Sequence, residues 1–194
     1  MDNPLKLDRA GFRQWLSDNH DTAKSCEILV RRGLNRPDLL PYLDAVEEAL
    51  CFGWIDSTQK SDGHGGSIQR FSPRRPNSSF TRLNLARCER LEQLGLMTDS
   101  GREAMPSKPY RNDRYVLDRI SKDPQVMENI VTFPRLYVEI RLDNIVSCRR
   151  RDPKLYRKRM ERFLEATRDG KMYGDWDDDG RLPHEPLFTL DGRR

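Results

Sequence analysis

The chain alternates short apolar patterns of two periods, and the alternation assigns most of its elements. From Leu7 to His20, Phe12, Trp15 and Leu16 share one helical face and Asp8 stands where an N-cap belongs, which predicts an amphipathic helix. Cys26 to Arg32 is short and rich in strand-forming residues, and it runs into a Gly-Leu-Asn-Arg-Pro turn signal, so it reads as a strand. From Pro41 the apolar positions Leu43, Val46, Ala49 and Leu50 return to a helical spacing that Gly53 can close. Trp54 to Gln59 and Ser67 to Pro73 flank a Gly-, Asp- and Ser-rich segment, the pattern of a β-hairpin. Ser78 or Ser79 is then expected to cap a helix carrying Phe80, Leu83, Cys88, Leu91 and Leu94, with Gly95 as its stop.

After Pro109 the strand period disappears. Asp113 to Ser121 reads as helical, and the steps Asp123-Pro124 and Asp152-Pro153 each offer an N-cap followed by a proline in the first turn. Leu136, Ile140, Ile145 and Val146 mark one helical face, and Leu155, Met160, Phe163 and Leu164 another. From Tyr173 onward the periodicity is lost. These patterns predict an α+β protein, mainly helical, with a small antiparallel sheet in the N-terminal half. They divide it into an α+β core over 1–110, a helical region over 111–172 and an irregular acidic tail over 173–194 that packs through Tyr173 and Trp176 or not at all.

Composition narrows the class. Of 194 residues 36% are hydrophobic and 34% charged, so the core is lean. The 35 basic and 31 acidic side chains nearly cancel to +4, which argues against a histone-like polycation. No apolar run reaches bilayer length and the N-terminus lacks a signal-peptide stretch, so a soluble, cytoplasmic protein is expected. Cys26, Cys51, Cys88 and Cys148 are too widely spaced for a redox or zinc motif and read as reduced thiols. Three histidines, none four residues from another, offer no metal site, and no cofactor signature is present.

The least ordinary stretch is AVEEALCFGWIDS, Ala45 to Ser57, followed by QRFSPRRPNSSFTRLN, Gln69 to Asn84, and LGLMTDSG, Leu94 to Gly101. In that order these segments resemble the YdeI/OmpD-associated family of bacterial proteins, linked to bacteriocin or cationic antimicrobial peptide protection and envelope stress. The family commonly has Trp-Ser where Phe80-Thr81 stand here. The C-terminal half resembles it more loosely, through Phe133-Pro134, Cys148-Arg149-Arg150 and Tyr156-Arg157-Lys158-Arg159. The resemblance implies a noncatalytic cytosolic protein that binds a partner or a small anionic ligand, and it carries over no catalytic residues.

The motif residues themselves suggest where a ligand would sit. A hairpin centred on Gly63 would set Asp56 opposite Arg70, on the face that also carries Trp54. Arg74 and Arg75 would emerge beside a helix start near Ser79, where unpaired N–H groups favour anions. Trp54, Asp56, Arg70, Arg74, Arg75 and Ser78 are thus the candidate ligand-binding residues, against the plainer reading of a structural ion pair with an arginine packed over Trp54. An enzyme reading would use Arg70 and Arg74 to position an anionic substrate and Asp56 as base. A nucleic-acid reading would use the basic helices, where residues 135–168 hold eleven Lys/Arg against five Asp/Glu. The interleaved acids make nucleic acid an unlikely partner, and the acidic run from Asp175 could cover the basic surface.

Overall fold

The computed structural model describes residues 3–76 and 78–190 and shows an α+β protein. Helix α1 (Arg9–Asn19) is capped by Asp8, whose carboxylate accepts from the Gly11 N–H. Strands β1 (Cys26–Arg31) and β2 (Leu40–Pro41) lead into α2 (Tyr42–Cys51), then β3 (Trp54–Ser61) and β4 (Ser67–Pro73). Helix α3 (Arg82–Gln93) is followed by the single turn of α4 (Asp99–Glu103). The remainder is helical: α5 (Arg114–Ile120), α6 (Pro124–Ile130), α7 (Arg135–Cys148) and α8 (Pro153–Arg168).

The four strands form a mixed sheet in the order β2-β1-β4-β3, in which β2 lies parallel to β1 and the other pairs are antiparallel. The two-residue β2 was not legible as a strand, because Leu40-Pro41 has too few residues to show an alternation. One face of the sheet is apolar: Cys26, Ile28 and Val30 alternate with the half-buried Glu27 and Leu29, and Phe71 with the exposed Arg70. Phe12, Leu16, Val46, Leu50, Trp54 and Leu91 join that core, as their spacing predicts. Trp15 departs from the expectation in being only half-buried, its ring edge-on to Trp54 at 5.7 Å.

The chain divides into two units. The first comprises 1–80 with 87–107, and the second 81–86 with 108–194, so α3 begins in the second and ends in the first. In the second unit α7 is buried at Leu136, Tyr137, Val138, Ile140, Leu142 and Ile145, and it forms the centre of that core. Asp113, Asp123 and Asp152 cap α5, α6 and α8, each accepting from the N–H three residues on. The irregular segment after Tyr173 packs onto the same core through Trp176, Leu182 and Phe188. The expected Ser78 or Ser79 cap of α3 is replaced by Thr81, whose hydroxyl accepts from the Asn84 N–H at 3.2 Å. Among the described residues no helix is long and apolar enough to cross a membrane.

Candidate functional site

The motif in the first unit is largely architectural. Gly53 has φ +73°, the left-handed conformation that ends α2, and a Cβ there would lie 2.9 Å from the Ser100 carbonyl oxygen. A Cβ on Gly101 would come within 2.2 Å of the Cys51 carbonyl oxygen. That same oxygen accepts from the Thr98 hydroxyl at 2.5 Å and from its N–H at 3.1 Å. The two glycines therefore let the end of α2 meet the start of α4, and Thr98 satisfies the carbonyl exposed there. Trp54 is buried and donates through Nε1 to the His20 carbonyl oxygen at 3.2 Å. The His20 ring is fixed in turn, with Nδ1 2.9 Å from the Leu16 carbonyl oxygen and Nε2 2.9 Å from the Ser100 hydroxyl.

The expected pairing of Asp56 with Arg70 is not formed. Asp62 builds the turn by accepting from the His64 and Gly66 N–H groups, each at 2.8 Å, and Ser61 pairs with Ser67, which centres the outer hairpin on His64. An irregularity between Asp56 and Gln59 shifts the register again, so Asp56 lies opposite Phe71. Directly opposed residues share a face, so Asp56 and Arg70 point to opposite sides of the sheet. Asp56 accepts from the Tyr42 hydroxyl at 2.7 Å, and Arg70 donates to the Ser25 hydroxyl at 3.1 Å beside its ladder partner Glu27.

Arg74 stacks over Phe80 at 3.6 Å and donates to the Ser79 carbonyl oxygen at 2.7 Å, while its Nε is buried without a partner. Burial pulls its pKa below the usual arginine value, against the opposing influence of Cys88 and Asp56. Arg75 and Ser78 are exposed, and the Ser78 N–H donates to the Arg75 carbonyl oxygen at 3.0 Å. The structure therefore brings Asp56 and Arg74 within electrostatic reach, buries Trp54 in the core and leaves Arg70 on the other face. The Arg70, Arg74 and Asp56 constellation that an enzyme reading requires does not converge.

A different group has the form of a site. In the second unit a cavity of about 400 Å³ is lined by Asp113, Val146, Ser147, Arg149, Arg150 and Arg151. The arginines follow the last turn of α7, where the chain breaks before the Asp152-Pro153 start of α8. Arg149 is engaged, with Nη1 3.3 Å from both carboxylate oxygens of Asp113 and its guanidinium 5.2 Å from the centre of the Tyr115 ring. Arg150 and Arg151 are exposed and have no hydrogen-bond or ion-pair partner among the described residues. With one carboxylate against three guanidinium groups, the lining is positive.

Tyr156 stands close to this group. The residue is 7% exposed and its hydroxyl has no partner. Burial pushes its pKa up, as does Tyr115, while Arg119 and Arg149 oppose the shift. The sequence showed the three consecutive arginines only as part of a basic stretch. The Arg149–Asp113 contact that joins them to the cleft spans 36 residues of chain, for which no local pattern exists.

Cys26, Cys51, Cys88 and Cys148 are free and buried, and burial is the main reason the first and third thiols are pushed up to about 12 and the second to about 11. Such thiols are poor nucleophiles. Among the described residues no three His, Cys, Asp or Glu side chains are grouped to hold a metal ion.

A family model described as a domain of unknown function (DUF8412) matches residues 6–104, just over half of the chain. No curated protein and no solved structure matches.

Proposed function

The chain belongs to the DUF8412 family, and from that premise we propose that it is a noncatalytic binding protein whose small anionic ligand is held in the cleft of its second unit. The observation that carries the proposal is the pair Arg150 and Arg151, two unpartnered guanidinium groups on the wall of a 400 Å³ cavity. Guanidinium groups keep their charge at any physiological pH and offer forked donors that match phosphate or carboxylate oxygens. Asp113 does not cancel them, because its carboxylate already accepts from Arg149 and from the Val116 N–H. In this reading the matched family region supplies a folded first unit, with Gly53, Gly101 and Trp54 serving packing, and binding falls to residues outside the match.

The direct test is a thermal shift titration with inorganic phosphate, sulfate and citrate at constant ionic strength. Ligand at about a hundred times Kd should stabilise the protein by ~2.7 kcal/mol. Arg150→Gln together with Arg151→Gln should remove that shift and leave the ligand-free melting temperature nearly unchanged, because both side chains are exposed. A shift of equal size in the double variant would refute the site. The proposal places this binding in the cytoplasm, which four free thiols support. It further assigns the binding to envelope stress, following the YdeI/OmpD resemblance. Cells complemented with the double variant should stay sensitive to cationic peptides, and full protection by that variant would remove this part.

A further inference from the structure

A cavity of about 400 Å³ falls in the range, ~300–1,000 Å³, that holds organic ligands rather than a bare oxyanion. One feature beside the arginines indicates what such a ligand carries. Tyr115, on the first turn of α5, leaves 59% of its surface in solvent although it is a large aromatic residue. Its ring is held by Arg149, which Asp113 anchors in turn, so the ring stands in a fixed position against a residue that lines the cleft. An exposed aromatic ring packed against an arginine that lines a basic cleft offers a face on which a nucleobase can stack.

The charge of the site limits the phosphate to a single group. Two free guanidinium groups match one phosphate dianion, while Asp113 and the last carbonyls of α7 oppose further negative charge.

We propose that the cleft takes a nucleoside monophosphate, with its phosphate on Arg150 and Arg151 and its base stacked on Tyr115. This rests on the anion-binding reading of the same cleft and adds the planar ring to it. Free mononucleotide is the committed ligand, since the interleaved acids of α7 and α8 disfavour a tracked polymer.

Isothermal titration of the full chain with AMP, UMP, ribose 5-phosphate, inorganic phosphate and adenosine separates the contributions. Stacking should make AMP bind at least about tenfold more tightly than ribose 5-phosphate. Tyr115→Ala should remove that advantage and leave ribose 5-phosphate binding unchanged, while Tyr115→Phe should retain it. Arg150→Gln with Arg151→Gln should abolish binding of every phosphate compound. Equal affinity for AMP and ribose 5-phosphate, both dependent on the arginines, would overturn the nucleotide proposal and leave the anion reading standing. Absence of binding by every phosphate compound would overturn both. Adenosine binding as tightly as AMP, or a single-stranded oligonucleotide binding far more tightly than AMP, would also overturn the proposal.

Discussion

Two neighbouring carboxylates on α2 show how single residues set the terms of this fold. Glu47 and Glu48 are each 2% exposed and are compensated from outside their own helix. Arg9 reaches Glu48 at 2.6 Å and Glu47 at 3.0 Å, Arg13 reaches Glu48 at 2.7 Å, and Arg90 reaches Glu47 at 2.9 Å. Each carboxylate thus has at least two guanidinium partners, and removing one arginine leaves another in place. Arg9→Met or Arg13→Met alone should therefore cost about 1 kcal/mol, because each arginine is more than a third exposed and its pairing is screened. The double variant leaves Glu48 buried without a cation, a condition that costs roughly 3–5 kcal/mol. Denaturant unfolding of the four proteins should show a loss in the double variant well above the sum of the singles, and simple additivity would show that Glu48 has access to water.

At the scale of elements, the junctions are more informative than the elements. Gly101→Ala sets a methyl group against the Cys51 carbonyl oxygen, a backbone atom that cannot rotate away. The variant should lose about 1–3 kcal/mol or more in chemical unfolding, and an unchanged midpoint would mean that the α2–α4 junction yields freely. The second junction is electrostatic. The Asp123 carboxyl is held below its usual pKa by the Val126 N–H first and then by Arg168, which donates to it at 2.7 Å. A depressed folded-state pKa gives stability that is full above the unfolded value of about 3.9 and is lost as pH falls through the folded value. Asp123→Ala should thus melt below wild type at neutral pH, and the two curves should converge below about pH 4. A gap that stays constant from pH 7 to pH 2 would place the effect elsewhere.

The same junctions explain what the sequence could and could not disclose. The helices, the hairpin and the Asp-Pro caps were legible because their signals are local. The Asp56–Arg70 pair failed for want of one residue of register, since the Asp62 turn moves the hairpin centre from Gly63 to His64 and a bulge shifts it again. A shift by one position sends a side chain to the other face. The arginine cleft was illegible for a different reason: Asp113 and Arg149 meet only after α5 and α7 have packed.

For the whole molecule, the division of α3 between two units decides where the chain can be cut. The loss of the strand period after Pro109 predicts a domain boundary at residue 110, close to the limit of the first unit at Ser107. The contacts of 81–86 argue otherwise. Arg82 donates through Nε to Glu139 at 2.6 Å and through its backbone N–H to Asp143 at 3.0 Å, while Leu83 and Ala86 pack into the apolar cluster around α7. Glu139 is 2% exposed, and in a fragment of residues 108–194 it would retain Arg135 but lose Arg82. Asp143, whose pKa burial raises against the pull of the Arg82 N–H, would lose the donor that holds its charge. A fragment of 108–194 therefore lacks both apolar contacts and the compensation of two partly or fully buried carboxylates, losses of several kcal/mol against a total stability of only about 5–15 kcal/mol. A fragment of 79–194 keeps them all. Circular dichroism and cooperative thermal melting should show the longer fragment folded and the shorter one without a cooperative transition. Equal melting temperatures for the two would mean that 81–86 contributes nothing to the second unit and that the boundary at Ser107 is a true domain limit.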